Sequence, residues 1–157
     1  MRPRPRPHTP AALLALLFAL GAGAPAVAEQ ITVAPQGVYA EIDTRLAIDT
    51  LRTLQTGSPA QITAAMDAIK AAPERYAPPV FYALSHVLFD RGDRDDAAFW
   101  FYAGQLRARF DANRCADVSA RQAVAVLNQT YGKPINQYTF KNIPMLEALI
   151  PRVVDWD

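Results

Sequence analysis

The stretch that decides the fold is PPVFYALSHVLFDRGDRDDAAFWFYAGQLRAR, residues 78–109. Its first half places Phe81, Leu84 and Leu88 at intervals of three and four residues, which is the spacing of one face of an α-helix. Pro78 favours a helix start here, since its fixed φ angle suits the first helical position. This pattern predicts a helix that begins at Pro78 and closes near Gly92.

A second helix is predicted directly after Gly92. Asp93 is a suitable N-cap residue, and Asp95 and Asp96 follow in the first turn, where the positive end of the helix dipole favours carboxylates. The apolar spacing continues to about Phe110. Residues 78–110 are therefore predicted to form two helices joined by a tight turn.

Two more helices are predicted before this pair. The first extends from Asp43 to Gly57, a plausible residue beyond a helix end, and the second begins at Ser58-Pro59 and ends before Pro73. Each has one apolar face, made by Leu46, Ile48, Leu51 and Leu54 in the first and by Ile62, Ala65, Met66 and Ile69 in the second.

The C-terminal third is predicted to contain two helices separated by an irregular segment. Asp117 or Ser119 caps the fifth helix, which is expected to stop at residues 132–134, Gly-Lys-Pro. Residues 132–142 are predicted to be irregular, with a short extended piece at 138–140. The apolar face of the fifth helix consists of Ala120, Ala123, Val124 and Leu127.

The sixth helix is expected to start at Asn142 and Pro144 and to carry Leu146, Leu149 and Ile150. Pro151 should break or kink it before an apolar tail. No alternation long enough for a sheet occurs, so the chain is predicted to be all-α: a compact bundle of five to six short helices. Residues 44–157 would form a single helical domain, preceded by an irregular arm over 29–43.

Residues 1–28 have the pattern of a secretory signal peptide. Three arginines without any acid precede an uncharged run, residues 11–24, and Ala26-Val27-Ala28 provides a small-x-small cleavage site before Glu29. We expect cleavage near Ala28 and a periplasmic or secreted mature protein. An uncleaved anchor is the alternative, but the apolar run is short for a membrane span.

Charge and cysteine content exclude several classes of protein. The chain has 16 Lys and Arg against 15 Asp and Glu, and removal of residues 1–28 leaves 13 against 15, a formal net charge of −2. No nucleic-acid partner is expected from this balance. The only cysteine, Cys115, is far from the cleavage site, so it cannot carry a lipoprotein anchor or form an internal disulfide. We expect no stable membrane insertion after cleavage.

Residues 81–109 resemble one tetratricopeptide-type unit and are also similar to the related Sel1-like repeats. The matching positions are Phe81, Leu84, Ser85, Leu88, Gly92, Ala97, Phe101 and Gly104. The departures are Ser85, where the family usually has glycine, Gly104, where it usually has alanine, and Arg109, where a closing proline is common. The resemblance implies one antiparallel helical hairpin and binding of a polypeptide, with no chemistry attached.

Residues 99–109, FWFYAGQLRAR, are also similar to small exported proteins of Gram-negative bacteria, some of which accompany antibacterial effectors. This resemblance implies an immunity-type role for the chain. The segment contains four consecutive aromatic residues, which point about 100° apart on a helix and cannot all face one core. Either this helix is central and buried all round, or some of these side chains contact a partner. The candidate partner-binding residues are Phe99, Trp100, Tyr102 and Arg107.

Catalytic and metal-binding signatures are weak. His86 and Cys115 could form a nucleophilic pair, but their positions lack the spacing of a known catalytic motif, and a histidine beside the core and a cysteine in a turn explain them better. Asp90, Asp93, Asp95 and Asp96 offer oxygen ligands, but their spacing does not match the EF-hand calcium loop. The sequence contains no glycine-rich phosphate loop and no nucleophile elbow, so no cofactor and no metal are expected.

These patterns predict a non-enzymatic periplasmic protein that binds another protein, with an immunity-type inhibitor of an exported antibacterial effector as the most concrete version. One alternative is an assembly or scaffold protein of the cell envelope. Another is a small enzyme or ligand binder that uses His86 or Cys115 and the segment 132–142.

Overall fold

A computed structural model describes residues 43–157, and both the predicted signal peptide and residues 29–42 of the predicted arm lie outside the described residues. The prediction of an all-α fold is confirmed, since residues 43–157 form six α-helices and one short 3-10 turn, Pro73–Arg75, without a strand. The helices are α1 Arg45–Thr56, α2 Pro59–Ala71, α3 Pro78–Arg91, α4 Arg94–Arg114, α5 Ala120–Thr139 and α6 Ile143–Trp156.

The first three helices begin and end where local signals predict. Ser58 forms a capping box with Gln61: the Ser58 hydroxyl accepts from the Gln61 amide, and the Ser58 amide donates to Gln61 Oε1 at 2.9 Å. Gly92 ends α3 with φ at 94°, a left-handed conformation that other residues rarely adopt. The turn to α4 is therefore tight.

The start of α4 differs from the prediction in its detail. Asp93 occupies the N-cap position, but its side chain makes no capping hydrogen bond. The helix also extends to Arg114 rather than to about Phe110, because Ala112 is buried and extends the packed face by another turn.

The predicted stop of the fifth helix at residues 132–134 is wrong, and so is the prediction of an irregular segment after it. α5 continues through Pro134 to Thr139. A proline inside a helix removes one backbone hydrogen bond, which destabilises the helix locally. Tertiary packing outweighs this loss, because Ile135 and Thr139 beyond the proline are fully buried.

The start of α6 at Asn142 is confirmed, since Asn142 Oδ1 accepts a hydrogen bond from the Met145 amide at 3.2 Å. The predicted break at Pro151 is wrong, because α6 continues to Trp156. Val153 lies beyond the proline and is buried, so packing again extends the helix past a residue that disfavours it.

α3 and α4 form the centre of the bundle. They pack closely against each other because Gly104 lacks a Cβ, which would lie 3.1 Å from the Cβ of Phe81 and from the Cδ2 of Tyr82. α1 and α5 both contact α3, α2 packs on α1, and α6 packs on α4 and α5. Two groups of buried apolar side chains surround this central pair.

Candidate functional site

The four consecutive aromatic residues of α4 point into different parts of the interior. Phe101 is fully buried and Trp100 is 5% exposed, while Phe99 and Tyr102 are partly buried. Neither Trp100 nor Phe101 is accessible to a partner in this arrangement. The burial of these rings matches the alternative in which α4 is a central helix.

Arg107, the fourth candidate partner-binding residue, is used within the chain. Its guanidinium lies 4.3 Å from the centre of the Trp156 ring and 5.4 Å from that of Phe81. Its Nε donates to Asp157 Oδ1, and its Nη1 donates to the carbonyl oxygen of Pro73 at 3.4 Å. These contacts place the charge over aromatic faces, where it is attracted electrostatically.

Trp156 brings the aromatic residues together, although it lies in the apolar tail that was predicted to follow a break or kink at Pro151. Its ring lies 5.4 Å from Trp100, 5.6 Å from Phe99 and 6.0 Å from Phe81, in edge-to-face arrangements typical of stabilising aromatic pairs. Leu149, Val153 and Trp156 are spaced as on one face of a helix, and this spacing predicts that Trp156 shares the buried face of α6.

Tyr102 faces α5 rather than this aromatic cluster. Its hydroxyl donates to Asn136 Oδ1 at 3.2 Å and lies 3.1 Å from the Thr139 hydroxyl. Of the four candidates, Phe99, Trp100 and Arg107 therefore lie together around Trp156, and Tyr102 belongs to a separate polar contact.

A second polar contact joins α3 and α4 to α5. The Tyr82 hydroxyl donates to Asn128 Oδ1 at 3.1 Å, and Gln105 Nε2 donates to the same oxygen at 2.7 Å. Burial raises the pKa of Tyr82 to about 12. The hydroxyl therefore stays protonated at neutral pH and serves as a structural donor.

A cleft of about 350 Å³ opens between α1, α3 and α5, and we call it the His86 cleft. Two of its residues, Leu54 and Ala83, are buried and form an apolar floor. The cleft lies next to the centre of the bundle. It is lined by Leu54, Gln55, Ala83, His86, Val87, Asp90 and Tyr131.

Polar groups surround the apolar floor of the His86 cleft. His86 Nε2 lies 3.5 Å from Asp90 Oδ2, one helical turn further along α3. The ring of Tyr131 from α5 lies 6.0 Å from the imidazole, and Gln55 is exposed on α1. Apolar surface with a few convergent polar groups is the common composition of a recognition site.

Cys115 lies in a different place from His86. It lines an apolar groove of about 300 Å³ with Pro78, Ala112 and Val124, where α3 begins and α4 ends. His86 and Cys115 line separate cavities, and no hydrogen bond joins them. The structure does not bring together the pair on which the nucleophilic hypothesis depends.

Two of the aspartates near Gly92 bind different residues rather than facing a common site. Asp95 accepts a hydrogen bond from the Tyr138 hydroxyl at 2.6 Å, and this contact raises the pKa of Tyr138. Asp96 pairs with Lys70 at 2.7 Å. Between residues 43 and 157, no three His, Cys, Asp or Glu side chains are grouped so that they could hold a metal ion.

Comparison of the chain with protein-family models, with curated proteins and with solved structures gives no match. The six described helices include none with the length and apolar content needed to cross a membrane.

Proposed function

We propose that this protein is a non-enzymatic periplasmic binding protein that recognises another polypeptide. The observation that carries the proposal is the His86 cleft, in which three helices that are distant in sequence combine an apolar floor with exposed polar side chains. Such a surface offers burial for an apolar side chain of a partner and hydrogen bonds for its backbone.

The resemblance of residues 81–109 to one tetratricopeptide-type hairpin supports a polypeptide ligand. These residues lie in α3 and α4, which make the most extensive helix–helix contact among the described residues. Hairpins of this family bind polypeptides, and the resemblance carries that expectation to this chain.

The most concrete version of the proposal is an immunity-type inhibitor of an exported antibacterial effector. Its support comes from the signal-peptide pattern of residues 1–28 and from the resemblance of residues 99–109 to small exported proteins that accompany effectors. Inhibition by an immunity protein requires binding and no catalysis, so a site of this composition suffices.

The proposal is tested by expressing the full chain together with any exported toxin that a neighbouring gene encodes. We expect protection of the cells, a stoichiometric complex in the periplasmic extract, and a mature chain that starts at Glu29 in N-terminal sequencing. The double variant Gln55→Ala/His86→Ala removes exposed side chains of the cleft and should weaken the complex about tenfold, the equivalent of 1.4 kcal/mol.

The matched control is Gln129→Ala, which changes an exposed residue of α5 outside the cleft and should bind as the native chain does. The absence of both protection and a stoichiometric partner would contradict the proposal. Constant co-purification with a resident complex of the cell envelope would instead favour the scaffold alternative.

A further inference from the structure

A pocket on α3 and α4 is filled by the end of α6. We call it the Arg107 socket and define it by Phe81, Phe99, Trp100 and Arg107. Three aromatic rings form its walls, and the guanidinium of Arg107 lies at its edge with 23% of the side chain exposed. Aromatic residues and arginine are the residue types that dominate the energetics of protein interfaces.

Trp156, the last residue of α6, and the C-cap residue Asp157 occupy the socket in complementary ways. The Trp156 ring contacts all three aromatic walls, and Arg107 stacks over its face at 4.3 Å. The Asp157 carboxylate accepts a hydrogen bond from Arg107 Nε. The socket thus binds an aromatic side chain and the carboxylate that follows it.

The remainder of α6 is only lightly held. Leu149 and Val153 are the only buried residues of α6, whereas Ile150 is 42% exposed and Val154 is 59% exposed. α3, in contrast, buries seven residues. Elements with few buried apolar contacts are those that open locally at the lowest free-energy cost.

We propose that the Arg107 socket is a binding site for a polypeptide segment that presents an aromatic side chain followed by a carboxylate, and that Trp156 and Asp157 occupy it in cis as a competitor. We expect the external segment to carry the same groups as Trp156 and Asp157, an aromatic ring and a carboxylate. This inference shares with the proposed function only the premise of a polypeptide partner, since it uses a different surface.

Competition in cis explains how the socket can be specific for such a segment and still be occupied by the chain itself. A tethered segment acts at a local concentration of about millimolar, so an external segment of equal intrinsic affinity binds weakly while Trp156 and Asp157 are present. The apparent dissociation constant is the intrinsic constant divided by the open fraction. Removing the internal ring should therefore increase the apparent affinity.

The test uses the full chain and a fluorescent peptide with the sequence of residues 143–157, amidated so that no terminal carboxylate is added. Trp156→Ala should bind this peptide about tenfold more tightly than the native chain, as expected if the socket is open about 10% of the time in the native chain. The double variant Trp156→Ala/Arg107→Ala should lose this increase in peptide affinity. Val154→Ala, a matched change on the exposed side of the same helix, should bind as the native chain does.

Three outcomes would overturn the inference. In the first, Trp156→Ala keeps its helical circular dichroism but binds the peptide no better than the native chain. In the second, Trp156→Ala unfolds, which would make the ring a core residue rather than a ligand. In the third, a peptide with Asn in place of Asp157 binds the Trp156→Ala variant as tightly as the original peptide does, which would refute recognition of the carboxylate.

The peptide assay needs no knowledge of the partner at the His86 cleft, so failure of either proposal is distinguishable from failure of the other.

Discussion

Gly132 lies where the side chain of Phe101 meets α5. A Cβ at this position would be 2.9 Å from Phe101 Cζ and 3.3 Å from Asn136 Nδ2. Phe101 is fully buried, so its ring cannot move away without displacing other core side chains. At the residue scale, the missing side chain of Gly132 sets the distance between α4 and α5.

We predict that Gly132→Ala lowers the free energy of unfolding by about 1–2 kcal/mol, because overpacking of a buried contact outweighs the gain in helix propensity. Urea unfolding followed by circular dichroism measures the change. Gln129→Ala, on the exposed side of the same helix, should change stability by less than about 0.5 kcal/mol. A Gly132→Ala variant as stable as the native chain would show that the Phe101 ring adjusts freely.

At the scale of elements, the N-cap residues of α2 and α4 differ in what their side chains do. Ser58 and Gln61 satisfy each other's backbone amides at the start of α2. Asp93 precedes α4 without a capping hydrogen bond, and the carboxylates of Asp95 and Asp96 remain in the first turn to interact with the helix dipole.

We predict that Ser58→Ala costs about 1 kcal/mol of stability, since it removes the hydroxyl that accepts a hydrogen bond from the Gln61 amide. Asp93→Ala should cost less than about 0.5 kcal/mol, because no side-chain hydrogen bond is lost. The two variants are compared by urea unfolding at the same pH and salt concentration. Equal losses would contradict the assignment of the cap to Ser58 alone.

At the scale of the whole molecule, α3 and α4 hold the other helices together. Their buried residues contribute to both groups of core side chains, and each of α1, α5 and α6 contacts at least one of these two helices. Trp100 lies near the middle of this arrangement, between Phe81, Phe99 and Trp156.

We predict that Trp100→Ala lowers the free energy of unfolding by about 3–5 kcal/mol, a large part of the roughly 5–15 kcal/mol that stabilises a typical domain. Phe110→Ala changes an aromatic residue of the same helix that is 55% exposed, and it should cost less than about 1 kcal/mol. Thermal unfolding of the two variants provides the comparison. Loss of peptide or partner binding by Trp100→Ala with stability intact would favour the alternative in which Trp100 serves binding alone.

The sequence by itself determined the helical class and the ends of the first three helices. These features depend on interactions between neighbouring residues, such as the Ser58 capping box, the left-handed Gly92 and the apolar spacing of Phe81, Leu84 and Leu88. Interactions of this kind are encoded within a few residues and can be identified without knowledge of distant contacts.

Only the tertiary structure decided how the last two helices pass Pro134 and Pro151, and which residues form the two candidate sites. Local propensity disfavours a helix at each proline, but burial of Ile135, Thr139 and Val153 outweighs it. The His86 cleft and the Arg107 socket likewise require side chains from helices far apart in the sequence. The physical reason is the same in each case: the free energy of these features comes from packing between distant segments, which no short stretch of the sequence records.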